Sequence, residues 1–206
     1  ENIFDVPNQI LELVSKYDPR VSQYREKIRI EYKEDSFCSG AGARYYDEEK
    51  IVKIFLEKDI VDLDKSLFFA HELGHALDFL DCAEKRIISF TLPEYLKEFS
   101  AEKFTHEFIR KEIPDKERKR IRYNLLHTLA CTLFEIDIFT NDQQDFEEAY
   151  ARAVNRCYPL SHQKINPLFV FNKRFITRPL GMLPHVMVNV ELYLKEAHNL
   201  NKNESL

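Results

Sequence analysis

The sequence is poor in glycine and cysteine, and it contains no long apolar run. Four glycines among 206 residues leave little room for flexible linkers. Because the apolar runs are too short to cross a bilayer, we expect no membrane span. The four cysteines lie far apart without a CxxC pair, which argues against a thiolate metal site and a dense disulfide framework. We expect reduced, mostly buried thiols at Cys38, Cys82, Cys131 and Cys157.

The sequence also has no surplus of basic residues. Thirty Lys and Arg residues stand against 35 Asp and Glu residues, which gives a formal net charge of −5. Because nucleic-acid binding depends on Lys and Arg gathered on one face, this balance argues against nucleic acid as a partner. Apolar residues make up 44% of the chain and charged residues 32%, as is typical of a folded globular domain.

The hydrophobic pattern predicts an α+β fold that is mainly helical, in a single domain over residues 1–206. We expect an N-terminal helix and a small sheet in residues 1–60 and a helical body in residues 61–206. β-branched and aromatic residues favour strands at 28–32 and 51–56. Helices are expected over residues 7–29, 64–80, 93–111, 115–139, 143–157 and 184–199, with an N-cap at Asp64, a tight turn at 39–42 and a long connection over 158–183.

The motif His-Glu-Leu-Gly-His spans residues 71–75, inside one predicted helix. A helix turns by about 100° per residue, so His71 and His75 lie on one face and can bind one metal ion. Glu72 faces the same cleft and can take a proton from a water that the metal activates. Imidazole and carboxylate ligands suit zinc. The motif therefore predicts one Zn²⁺ per chain, with Glu72 as the general base.

Two further residues of this helix are candidates for supporting the site. A glycine inside a helix costs about 1 kcal/mol relative to alanine, so Gly74 predicts close packing against another backbone. Asp78 lies on the same face as His75. It is expected either to accept a hydrogen bond from a ligand histidine and hold its ring, or to be a solvated helix carboxylate.

A third protein ligand is needed, and the residues leave several routes open. Asp81 stands ten positions after the first histidine of the motif, a spacing that some zincins use, although that geometry normally needs glycine where Asp78 stands. Glu94, Glu98 and Glu102 are spaced four apart and form one acidic stripe on a predicted helix. A bound dication would remove the repulsion within this stripe. Spacing alone does not choose between Glu94 and Glu98.

From about residue 38 to residue 150 the chain resembles the catalytic core of the thimet oligopeptidase and oligoendopeptidase F family of zinc metallopeptidases. The resemblance implies a zincin-like metallopeptidase core with a small sheet beside the metal-binding helix. It also implies that Glu98 is the third zinc ligand, that Glu102 supports the ligands from behind, and that Glu94 faces solvent. The matching segments are Ser39-Gly40-Ala41, Phe69-Ala70-His71-Glu72-Leu73-Gly74-His75-Ala76 and Pro93-x-Tyr95-Leu96-x-Glu98-Phe99-Ser100-Ala101.

The chain departs from this family in two respects. Members of the family are much longer, and a helical domain walls in their substrate channel, so we expect a more open cleft here. They also carry His and Tyr residues that stabilise the tetrahedral intermediate, an interaction worth about 2.7–4 kcal/mol. We expect His185 to take this role, with Tyr158, His162, Arg174 and Arg178 as the next candidates, and we expect His106, His127 and His198 to be ordinary helical residues.

These patterns together predict a zinc-dependent endopeptidase that acts on a peptide or protein substrate. An open cleft in a cytosolic enzyme suits a bacterial effector or toxin that acts on a host protein, and a housekeeping oligopeptidase is the rival within the same class. The strand at 51–56 could bind the substrate backbone along a free edge. The alternative from another class is a catalytically degenerate fold that binds a protein without hydrolysis.

Overall fold

The computed structural model describes residues 6–33, 41–57, 62–87, 93–140, 145–157 and 183–194, except positions 185 and 193. These ranges are mainly helical with one small sheet, so the predicted α+β class is confirmed at this level. The positions described between 183 and 194 are helical. The other elements are α1 (Val6–Ser15), α2 (Pro19–Tyr24), a 3₁₀ turn (Arg25–Lys27), β1 (Ile28–Lys33), β2 (Gly42–Tyr46), β3 (Ile51–Glu57), α3 (Asp62–Glu84), α4 (Glu94–Glu112), α5 (Pro114–Thr140) and α6 (Phe146–Cys157).

Two short helices open the described chain. The first, α1, buries Ile10, Leu11 and Val14 along one face. The second, α2, begins at Pro19, and the Asp18 carboxylate caps it by accepting a hydrogen bond from the Arg20 backbone N–H at 3.0 Å. The prediction of one or two helices in this region is therefore confirmed.

The sheet has the strand order β1-β3-β2, with β1 parallel and β2 antiparallel to β3. Val52, Ile54 and Leu56 alternate along β3 and are completely buried. The strand predicted at 51–56 is confirmed, but the prediction that it offers a free edge is wrong, since β3 is hydrogen-bonded on both sides. Alternating hydrophobicity marks a strand with one buried face and does not distinguish a central strand from an edge strand.

The long helix α3 crosses the core of this region. Phe69, Leu73 and Leu77 are buried on it. The helix starts before Asp64, so this residue is not the N-cap that we predicted. At the other end, Arg86 has a positive φ of 55°, and the Ile87 N–H donates to the Cys82 carbonyl at 2.8 Å. This left-handed residue ends the helix in the way that a glycine often does.

The next helix, α4, begins after Pro93 and packs on α3. The Leu96 N–H donates to the Pro93 carbonyl at 2.9 Å in its first turn. Phe108 and Ile109 join the same buried core as α1, α3 and β3. The predicted helices over 93–111, 115–139 and 143–157 agree with α4, α5 and α6 to within a few residues at the described ends.

The chain divides into two compact units, Glu1–Glu117 and Arg118–Leu206. The first contains the sheet and α1 to α4. The second has a smaller core in which Phe134 and Tyr150 meet edge to face at 5.6 Å. The single domain over residues 1–206 stays a prediction.

The described cysteines are free thiols, as we expected. Cys131 and Cys157 are buried and Cys82 is partly buried, whereas Cys38 lies outside the described residues. Among the described helices, none is both long enough and apolar enough to span a bilayer.

Candidate metal centre

Three side chains from two adjacent helices form a group that could hold a metal ion. His71 and His75 lie one turn apart on α3, with ring centroids 4.8 Å apart and the rings nearly perpendicular. Glu98 reaches them from α4. Its Oε2 atom is 3.3 Å from Nε2 of His71 and 3.6 Å from Nε2 of His75. One ligand atom from each residue lies within 4.8 Å of the other two. The structure thus brings together the three residues that we predicted as ligands.

Glu102 lies on the far side of His71, one helical turn after Glu98. Its Oε1 atom is 3.7 Å from Nδ1 of His71. The two nitrogens of this ring therefore face two different carboxylates, one in the ligand group and one behind it. A carboxylate behind a ligand histidine fixes the orientation and tautomer of the ring and raises its basicity. This position agrees with the supporting role that we expected for Glu102.

The centre is strongly acidic, and its carboxylates are largely buried. The exposed fractions of Glu72, Glu98 and Glu102 are only 9%, 7% and 8%. Burial lowers the pKa of His71, but the charge of Glu102, a hydrogen bond with Glu98 and the charge of Glu72 outweigh it and raise that pKa to about 9. Because buried carboxylates are costly without a positive partner, this centre favours either an imidazolium or a bound cation.

The prediction of close packing at Gly74 is confirmed. A Cβ built on Gly74 would lie 2.8 Å from the backbone Cα of Ala101 and 3.2 Å from Cβ of Phe104. Both of those residues belong to α4. Any side chain at position 74 would therefore push α4 away from the helix that carries the two histidines.

Asp78 links three helices at the edge of the centre. It accepts a hydrogen bond from the Ser100 side chain of α4, and its Oδ1 atom is 3.5 Å from Nη1 of Arg20 on α2. Burial raises the pKa of Asp78, and the charges of Arg20 and His75 counteract that rise. Asp78 is therefore not a fully solvated carboxylate, but its contacts are with Ser100 and Arg20, and the hydrogen bond that we expected from a ligand histidine stays a prediction.

Asp81 does not join the ligand group. Its Oδ1 atom accepts a hydrogen bond from the Tyr24 hydroxyl at 2.7 Å, and its Oδ2 atom is 3.3 Å from Nη1 of Arg20. No glycine breaks α3 at position 78, so the helix continues through Asp81 and turns this carboxylate toward α2. Among the candidates whose side chains are described, Glu98 occupies the third position.

Most of the remaining candidates have side chains outside the described part of the molecule. The side chain of Glu94 and that of His127 lie outside it, so solvent exposure of Glu94 stays a prediction. His106 is buried on α4. The assignment of His185 to the oxyanion also stays a prediction, since His185, Tyr158, His162, Arg174, Arg178 and His198 all lie outside the described residues.

Sequence reasoning missed the residues that support α3 from α2. Arg20 pairs with Asp18 at 2.8 Å and also approaches Asp78 and Asp81. The Tyr24 hydroxyl lies 2.9 Å from Oε2 of Glu84. The Asp-Pro pair before Arg20 signals a helix start, but no local pattern reveals partners about 60 positions away.

A cavity of about 200 Å³ beside His75 was also not predicted. It lies within the first compact unit, along the C-terminal half of α3 and the first turn of α4. Its walls contain apolar, acidic and basic side chains. The lining residues are His75, Asp78, Phe79, Asp81, Cys82, Lys85, Ile87, Leu96 and Lys97.

Comparisons of this chain with protein-family models, with curated proteins and with solved structures give no significant match.

Proposed function

We propose that this chain is a zinc-dependent endopeptidase that hydrolyses a peptide bond in a peptide or protein substrate. The observation that carries the proposal is the convergence of His71, His75 and Glu98, with the buried carboxylate of Glu72 close enough for its charge to raise the pKa of His71. Two imidazoles and one carboxylate form a common ligand set of catalytic zinc, which leaves a fourth position for water.

The spacing of the ligand atoms is compatible with a zinc site. A tetrahedral shell with bonds of about 2.0–2.1 Å has edges of about 3.3–3.4 Å between its ligand atoms. The two edges measured from Glu98 Oε2 are 3.3 Å to His71 and 3.6 Å to His75. The third edge, between the two histidine nitrogens, is bounded only at 4.8 Å, so the rings would have to move to bring all three atoms to zinc-binding distances.

The residues of the chain divide the chemistry between them. His71, His75 and Glu98 would hold the ion, while Glu102 fixes the His71 ring and Asp78 joins the surrounding helices. A zinc ion held there would supply a bound water whose pKa is lowered toward neutrality and a positive charge that polarises the scissile carbonyl. Glu72 accepts the proton of the attacking water and returns it to the leaving amine.

The same proposal includes the zincin-like core and the kinship with the thimet oligopeptidase and oligoendopeptidase F family. Its support is the pairing of the His-Glu-Leu-Gly-His motif with a glutamate from the following helix. An effector or toxin that cleaves one host protein and a housekeeping oligopeptidase both use this chemistry. They differ in substrate range.

Zinc content and cleavage should be measured on the same preparation. We expect close to one zinc per chain by elemental analysis, cleavage of peptides or of proteins in a cell lysate, loss of cleavage with a chelator and recovery with zinc. Glu72→Gln should keep the metal and lose at least about 100-fold in rate, because general acid–base catalysis contributes about 10²–10⁴.

A control variant and several contrary outcomes test the proposed function further. Glu107→Gln alters an exposed pair with Lys111 on α4 and should leave cleavage unchanged. Unchanged cleavage in Glu72→Gln would remove that residue from the mechanism. Bound zinc without turnover would favour the alternative of a protein-binding module. A single cleaved lysate protein favours an effector, and general peptide turnover favours a housekeeping enzyme.

A further inference from the structure

We propose that the outer face of the sheet binds a short acidic segment of a protein partner. The site is a row of three basic side chains, Arg29, Lys53 and Arg44, one from each strand. This surface lies away from the candidate metal centre. The inference therefore goes beyond the proposed peptidase function and does not depend on it.

The register of the sheet places the three bases side by side. Arg29 of β1 and Arg44 of β2 are both direct partners of Lys53 in the central strand β3. Residues directly opposite each other on neighbouring strands point to the same face of a sheet. The three basic side chains therefore share one face and form a continuous row.

This row lies on the face of the sheet that is opposite to α3. Val52 and Ile54, which flank Lys53 along β3, are completely buried in the core that includes α3. Because successive residues of a strand point to opposite faces, Lys53 points away from that core. Arg29 and Arg44 are exposed. The row is thus open to solvent and does not face the helix that carries the two histidines.

The stability of the sheet does not explain this row, since like charges directly opposite each other destabilise a sheet. The charge of Lys53 is balanced, because its Nζ atom lies 2.9 Å from Oε1 of Glu31 and 4.8 Å from the centroid of the Tyr46 ring. Among the described residues, no carboxylate lies within ion-pair distance of Arg29 or Arg44. A partner that brings carboxylates to these two arginines would remove the unfavourable arrangement.

The two outer bases are spaced for a pair of acidic residues. The backbones of Arg29 and Arg44 are two strand spacings apart, which is about 10 Å. An extended peptide advances about 3.3 Å per residue, so carboxylates three positions apart span the same distance. A guanidinium also donates two parallel hydrogen bonds to one carboxylate, which an ammonium group cannot do. The row therefore fits a Glu-x-x-Glu or Asp-x-x-Asp segment that crosses the strands.

The charges around the row limit the length of the partner. The turn that joins β2 to β3 carries three exposed acidic residues, Asp47, Glu48 and Glu49. The basic area is therefore confined to the sheet, whereas nucleic acids and anionic membranes present their charges over a larger surface. A long polyanion would meet the carboxylates of the turn as well as the arginines. A short acidic segment can contact the bases alone.

The test is an NMR titration at low salt with a capped peptide of about twelve residues that contains Glu-x-x-Glu. Isotope-labelled Glu72→Gln protein serves as the background, so that the proposed peptidase activity cannot consume the peptide. We expect the amide shifts to concentrate in β1, β2 and β3 and to vanish at high salt, because salt screens exposed charges. The matching peptide with Gln-x-x-Gln should cause no shifts.

The two arginines supply the variants. Arg29→Gln and Arg44→Gln should each weaken peptide binding about threefold, and the double variant about tenfold, because exposed ion pairs contribute modestly. Neither variant should lower stability in urea, since each removes one of three like charges, whereas a purely structural role predicts a loss. Arg25→Gln is the matched control, because this exposed arginine contacts Asn8 outside the row, and it should leave peptide binding unchanged.

Several outcomes would overturn this inference. The absence of binding at millimolar peptide would do so, as would binding that survives the loss of both arginines. Tighter binding of a short oligonucleotide with the same charge would replace the acidic segment by a phosphate ligand. Each of these results leaves the proposed peptidase function standing, because none involves the metal centre. A protein that binds the acidic peptide but neither holds zinc nor cleaves peptides would overturn the proposed function alone.

Discussion

Gly74 and Ala101 pack backbone against backbone where α3 crosses α4, and the added Cβ of any other residue at position 74 would lie 2.8 Å from the Cα of Ala101. The crossing lies beside the candidate ligands. His75 follows Gly74 directly, and Ala101 stands between Glu98 and Glu102 in the sequence. The close approach of the two helices therefore sets the distance from which the glutamates reach the histidines.

We predict that Gly74→Ala destabilises the protein and weakens zinc binding. Alanine is favoured over glycine in a helix by about 1 kcal/mol, but the clash requires the helices to separate, and overpacking typically costs about 1–3 kcal/mol. Urea unfolding and zinc titration measure the two effects. Gly42→Ala is the matched control, since nothing lies within 4 Å of its added Cβ. Equal behaviour of the two variants would contradict the role of the crossing.

We predict a ranked loss of zinc affinity along α4. Glu98→Gln should weaken binding most, because it changes a proposed ligand. Glu102→Gln should weaken it about 10–100-fold, as is usual when a partner behind a ligand is removed. Glu107→Gln, on the same helix, should have no effect. Competition with a chromophoric chelator measures all three affinities. If Glu102→Gln weakened zinc binding more than Glu98→Gln, Glu102 would be the ligand and Glu98 the residue that supports it.

We predict that zinc binding weakens as the pH falls below about 9, the raised pKa of His71 in the metal-free centre. A proton must leave this imidazole before it can bind metal, so each pH unit below that value costs about tenfold in affinity for this group. The charge of Glu102 contributes to the raised pKa, and Glu102→Gln should therefore move the onset of the loss to lower pH. An affinity that is flat between about pH 6 and pH 9 would contradict this prediction.

The raised pKa of His71 also makes the stability of the metal-free protein depend on pH, but in the direction opposite to that of zinc binding. Because the folded pKa of His71 exceeds the unfolded value of 6.5, the folded state holds the extra proton. This contribution is fully present below about pH 6.5 and is lost as the pH rises through about 9. Urea unfolding of chelator-treated protein across this range measures it, and greater stability at the alkaline end would contradict it.

We predict that Arg20→Met destabilises the protein by about 1–2 kcal/mol and also lowers its zinc affinity. The loss is moderate because a third of the Arg20 side chain is exposed, with a fraction of 34%, and solvent screens its ion pairs. Arg20→Lys should recover only part of both losses, because an ammonium group lacks the forked geometry that serves several carboxylates.

The control for Arg20 is its neighbour Arg25, which donates to the Asn8 side chain at an exposed position. Arg25→Met should change stability by less than about 0.5 kcal/mol and leave zinc affinity unchanged. If Arg20→Met lowers stability without changing zinc affinity, Arg20 stabilises the fold but does not position the ligand helix.

The sequence was sufficient to predict the elements and residues whose placement follows from spacing along the chain. One turn of helix places His71 and His75 side by side regardless of the surrounding structure. Gly74, which lies between them, predicts close packing against another backbone. The choice of Glu98 over Asp81 depended on whether α3 breaks at position 78, and the absence of glycine there already indicated that it does not. Local spacing was therefore sufficient to predict the two histidines and to disfavour Asp81, whereas the choice of Glu98 over Glu94 came from the resemblance to a metallopeptidase family.

The properties that were missed depend on distant partners. The pairing of β3 with strands on both sides requires β2, which the pattern did not reveal. Arg20 and Tyr24 reach acidic residues of α3 that are about 60 positions away. Such contacts follow from the packing of whole elements, and the periodicity of one segment does not encode them.

The candidate ligands come from two helices that are consecutive in the chain, α3 and α4. An ion held between them acts as a cross-link that closes a short loop, so its binding energy also favours the folded state of that helix pair. Chelation should then loosen α3 and α4 before the sheet, and faster hydrogen exchange in these two helices would locate the effect. Metal supply would in that case control the lifetime of the folded protein as well as its chemistry.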